Sequence, residues 1–132
     1  MSTSYDKVWT TFLNNCKLSD IDLPQSDEKR YEIIKNGVML LNNKLRTDYH
    51  CDDKNEMIIG DMNDDHLLIL AFLIRLVILD NQRIYFMNLW QPFAKDITIR
   101  NFSSQLKAIE QSIKDTEDTI SRLIMNSEED FL

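Results

Sequence analysis

Few residues in this chain have the type and spacing to do chemistry. His50-Cys51, Cys16 and His66 are the conceivable zinc ligands or nucleophile–base partners. Structural zinc sites pair their ligands closely, as in CxxC or HxxxH, and no such pair occurs. Adjacent His50 and Cys51 do not make a nucleophile and its base, and no glycine-rich loop accompanies either to hold an oxyanion. Cys16 is expected to pack as a small hydrophobe on a helix face. His66 is expected to be solvated or salt-bridged in a first helical turn. Asp52-Asp53 and Asp64-Asp65 lack the spacing of a calcium loop, and GxGxxG, Walker and HExxH signatures are absent. The expectation is a non-enzymatic chain with no catalytic residue, cofactor or metal.

Arg75 is the one charge in strongly apolar surroundings, between Ile74 and Leu76-Val77. One reading pairs it, buried, with a carboxylate from a neighbouring helix. The other places it, with Gln82 seven residues on, in a polar stripe at a subunit interface, where Arg is enriched.

The elements that must position these residues read as helices. Asp65 to Trp90 is a long apolar run, too short in its uncharged part to span a bilayer and too apolar to lie on a surface. It predicts a buried central helix, capped by Asn63, stopped at Pro92, and about 40 Å long at 1.5 Å per residue. A first helix is expected over Ser4–Lys17, with Tyr5, Val8, Phe12 and Cys16 on one face. Leu18–Gln25 reads as an extended connector, because Leu23 precedes Pro24. A second helix starts at Ser26 with Asp27 and Glu28 in its first turn. Its Gly37 implies either a close helix–helix approach or tolerated strain. A fourth helix over Asn101–Ser127 carries a 3.5-residue apolar period broken only by Thr116. Short β-like segments are expected near 56–60 and 95–100. The fold class is therefore all-α, a four-helix bundle around the long third helix, as residues 1–126 with an acidic tail at 127–132.

Composition agrees. The chain has 132 residues with two Gly and two Pro, against roughly nine and seven at average usage. An all-β fold needs far more turns. A net charge of −7 disfavours binding to nucleic-acid phosphates and to anionic membranes. Two Cys without a CxxC, and a charged N-terminus without a signal-peptide core, predict a protein made and kept in a reducing cytoplasm.

Candidate partner-binding residues follow from surfaces. Phe131 and Leu132 form an apolar tip behind Glu128, Glu129 and Asp130, suited to a partner's groove. Trp90 and Phe93 crowd the end of the third helix and are candidate interface anchors. Ile58 and Ile59 in one β-like segment, and Ile97 and Ile99 in the other, are held apart by the rigid third helix. They are expected to pair, if at all, by strand addition between subunits.

The order of features resembles the small helical head-completion, or head–tail connector, proteins of tailed bacteriophages. The resemblance lies in Tyr5–Phe12 (YDKVWTTF), Asp22-Leu23-Pro24, Tyr31–Leu45 and the segment from Trp90-Gln91-Pro92-Phe93 to Leu106. It implies a structural virion protein of the neck, a ring of typically twelve copies. Such a ring connects the portal protein to the tail or other neck proteins and extends a channel through which DNA passes without specific binding. No catalytic residues are implied. The alternative is an acidic helical regulator or inhibitor, including a DNA mimic, which would need its carboxylates on one ordered face.

Overall fold

The computed structural model describes residues 2–17, 23–93 and 99–129, with side chains apart from those of 89–93, 99–102 and 128–129. Among these, the elements run β1 (Ser2–Ser4), α1 (Tyr5–Asn15), α2 (Asp27–Leu45), β2 (His50–Asp52), β3 (Met57–Ile59), α3 (Asp64–Phe93) and α4 (Ile99–Glu129). The all-α expectation holds in a coarser form, as a mostly helical fold carrying a small three-stranded sheet.

Three of the helices, α1, α2 and α3, start where a polar side chain satisfies a free amide. Ser4 Oγ accepts from the Lys7 amide at 3.1 Å, Ser26 Oγ from the Lys29 amide at 3.3 Å, and Asn63 Oδ1 from the His66 amide at 2.8 Å. These are N-caps, each worth about 1 kcal/mol. α2 ends on Arg46 in the left-handed region, φ 56°. Asn42 then ties the following turn. Its Oδ1 accepts from Thr47 Oγ1 and the Tyr49 amide, and its Nδ2 donates to the Tyr49 carbonyl.

α3 is the hub on which α1, α2 and α4 all pack. From Leu67 to Leu79 every residue is buried except Leu68 and Phe72, which are half-buried. Gly37 allows α2 to come close: a Cβ there would lie 3.1 Å from Leu70 Cδ1 and 3.2 Å from Ile74 Cγ1. Of the two readings of this glycine, close approach is the one observed. α4 contributes Ile109, Ile113, Thr116 and Ile120 to the buried seam, as its period predicted. It begins two residues earlier than expected and extends through Glu129, with Ser127 still buried.

The sheet has the order β1-β3-β2, antiparallel throughout, with Thr3 and Cys51 on either side of Ile58. This corrects the view of Ile58 and Ile59 as an edge awaiting another subunit. β3 is the central strand and both its edges are occupied within the chain. Ile58 faces the core at 0% exposure, while Ile59 on the opposite face is 51% exposed, the alternation a pleated strand requires. Its second partner is β1, whose Ser4 the sequence places at the start of the first helix. The other β-like segment is corrected too: Ile99 and Arg100 begin α4, and residues 94–98, including Ile97, lie outside the described residues.

A salt-bridged node ties the sheet to the helices. Tyr5 Oη donates to Asp53 Oδ1 and Lys35 Nζ donates to Asp53 Oδ2, both at 2.7 Å. The two donors hold the Asp53 carboxyl below its ordinary range. The Tyr5 amide also donates to the Glu56 carbonyl at 2.8 Å, so α1 starts directly on the hairpin.

The tight α2–α3 contact gives a direct test. Gly37→Leu forces a branched side chain against Leu70 and Ile74 and is expected to lower stability by about 1–3 kcal/mol. Chemical denaturation would measure it, and an unchanged midpoint would refute the close packing.

Candidate interaction surface

The all-round burial of α3 stops at a definite place. After Leu79 the sequence turns polar for four residues, Asp80-Asn81-Gln82-Arg83, and then apolar again. In that second apolar stretch the neighbours no longer enclose the helix: Ile84 is 54%, Tyr85 66% and Met87 48% exposed. Tyr85 forms a ridge between two open clefts. One, of about 300 Å³, runs between α3 and the start of α2, lined by Leu23, Pro24, Ile33, Ile78 and Gln82. The other, of about 320 Å³, runs between α3 and α4, lined by Gln82, Phe86, Gln105, Ala108 and Ile109. Both are largely apolar with a rim of amides, joined in the first by Lys29. Apolar surface of this kind, contiguous and rimmed by amides, marks sites of protein interaction.

Charge is distributed unevenly along the antiparallel α3–α4 pair. Residues 80–93 and 99–113 carry three cationic and two acidic side chains. Residues 114–129 carry five acidic against two cationic ones, and Asp61, Asp64 and Asp65 lie at the adjoining start of α3. An acidic half thus faces away from a near-neutral, apolar overhang.

Arg75 is 7% exposed and belongs to the interior of this chain. Its Nε donates to Thr116 Oγ1 at 3.1 Å, and its guanidinium also donates to the Lys17 carbonyl. Thr116 Oγ1 in turn donates to the Ser112 carbonyl at 2.7 Å. The one break in the α4 seam and the one charge in the α3 core are therefore the same feature. Of the two readings, burial is observed, and these described partners are a hydroxyl and a carbonyl.

The sequence-based interface residues fare unequally. Ile58 is core, Ile59 is exposed on the sheet and Arg75 is buried. The backbones of Trp90, Phe93 and Ile99 are helical, as are those of Glu128 and Glu129, but their side chains lie outside the described set. Ile97, Asp130, Phe131 and Leu132 lie outside the described residues altogether. The structure adds Ile84 and Met87, and it shows that Tyr85, one of the aromatic residues crowding the end of α3, is exposed. The signal for them was present: four polar residues in succession end the all-round apolar pattern, so whatever apolar residues follow have lost their enclosing neighbours.

The chemistry-bearing residues are dispersed. His50 is exposed, with Nε2 at 3.3 Å from Asp48 Oδ1. Cys16 is buried with its thiol on the Ala71 carbonyl, and burial pushes it up to about 12 despite the nearby Arg75. Cys51 is raised as well, chiefly by burial, although the Tyr5 hydroxyl pulls the other way. Both thiols stay protonated at neutral pH and lack the thiolate that nucleophilic chemistry needs. Among the described residues no three His, Cys, Asp or Glu side chains converge on a metal-sized site, and no helix is long and apolar enough to cross a membrane.

The expectation of a solvated His66 is corrected. Its Nδ1 is 2.8 Å from Tyr49 Oη, which also lies 3.3 Å from the Asp61 carbonyl. The Tyr49 ring packs over Gly60, whose φ of 135° and lack of a Cβ admit it.

A family model described as YomZ prophage protein matches residues 1–129. The chain belongs to the YomZ prophage protein family. It is 45% identical over 130 residues to the SPbeta prophage-derived uncharacterized protein YomZ of Bacillus subtilis (strain 168), covering 98% of this chain and 99% of that one. No solved structure matches the chain. The likeness supports a phage origin and carries no head–tail connector assignment with it.

Two outcomes follow from this geometry. Thr116→Val keeps the side-chain volume but removes the acceptor from a buried guanidinium, and is expected to cost about 1–3 kcal/mol. Thermal unfolding should register the loss, and a neutral effect would show that Thr116 contributes only volume. Burial also holds His66 below its ordinary value. The unfolded chain, titrating near about 6.5, therefore binds more protons than the folded one just below that pH. Stability should fall as pH drops through this window, and His66→Gln should flatten that part of the profile. Identical melting-temperature profiles for the two chains would remove His66 from the pH dependence.

Proposed function

We propose that this chain is a structural assembly protein of a phage particle, acting as a ring-forming neck adaptor between the portal protein and the tail. The observation that carries this reading is the apolar overhang around Tyr85. The core of the chain is already filled by α3, and Ile84, Tyr85 and Met87 are left exposed beyond it. Exposed apolar residues flanked by clefts gain their burial from another protein, and aromatic ridges of this kind serve as anchors.

The remaining features are compatible with a neck. The mechanism is burial of apolar surface on assembly, with no covalent chemistry. A net charge of −7 would let DNA pass along a lumen without adhering, since adhesion needs clustered Lys and Arg. The acidic residues at 128–130, followed by Phe131-Leu132, suit docking on the portal. In this reading the protein works in the virion.

A second reading draws on one specific observation, the gathering of carboxylates in the half of the α3–α4 pair remote from Tyr85. Such a surface would fit an acidic inhibitor or DNA mimic that blocks a basic protein. The two readings differ in what happens to the Tyr85 overhang, which a mimic leaves unused.

Analytical ultracentrifugation of the chain, alone and mixed with the portal protein of the same phage, separates them. A ring of about twelve copies, a number that closed cyclic symmetry permits, is expected with or without the portal as template. A strict monomer under both conditions would reject the adaptor reading.

A further inference from the structure

We draw no further inference here: the strongest candidate, the apolar overhang at the Tyr85 end of α3 with its two flanking clefts, carries nothing beyond the assembly reading, because nothing in the structure shows what covers it.

Discussion

The burial of α3 is the constraint on which the rest of the structure depends. A helix with apolar residues on every side over Leu67–Leu79 has no face to offer water, and burying each large side chain is worth roughly 1.5–3 kcal/mol. Neighbours must therefore cover it all round. α1, α2 and α4 do so from separate directions, each contributing one narrow apolar stripe, and each packs mainly on α3. Gly37 brings α2 close enough to leave no gap. Tyr5 and Asp53 fasten the hairpin to the start of α1 and to α2. The sheet stabilises little by itself, with three strands of three residues, and fixes where the helices begin.

Arg75 shows what that constraint demands of a charge. A guanidinium placed in such a helix cannot lose its hydrogen-bonding partners without a large desolvation cost. α4 meets the demand by giving up one hydrophobe of its seam for Thr116, and the chain just past α1 contributes the Lys17 carbonyl. The node thereby sets the register of α4 against α3, since a shift of one residue would move the hydroxyl away from Nε.

Much of the helical layout was legible from sequence because its determinants are local. Ser4, Ser26 and Asn63 mark helix starts through side-chain caps, and the four-three spacing of α4 marks its buried seam. The sheet was less legible because strand identity depends on distant partners. Ser2-Thr3-Ser4 has no apolar alternation and becomes a strand only through pairing with Met57–Ile59. Once that pairing exists, Ile58 turns from a candidate edge into core. Ile99 read as strand from a two-residue alternation too short to outweigh the helix it begins. His66 read as solvated because nothing local announces Tyr49, seventeen residues earlier. The interaction surface was half legible. The end of α3 stood out through its aromatic residues, but which of them are uncovered depends on how far α2 and the connector reach.

That reach has a physical consequence for the whole chain. α3 is 30 residues and α4 is 31, whereas α2 has 19 and α1 only 11. Two long helices flanked by two short ones cannot be enclosed along their full length. The surplus emerges at the Tyr85 end, because α1 and the hairpin occupy the other. An uncovered apolar end is an aggregation hazard in isolation, and the net charge of −7 opposes indiscriminate association by mutual repulsion. Any protein docking there would have to bring both an apolar surface and a compatible charge, which is a stricter condition than hydrophobicity alone. The mismatch in helix lengths thus leaves an apolar end uncovered on a chain whose acidic balance resists indiscriminate association.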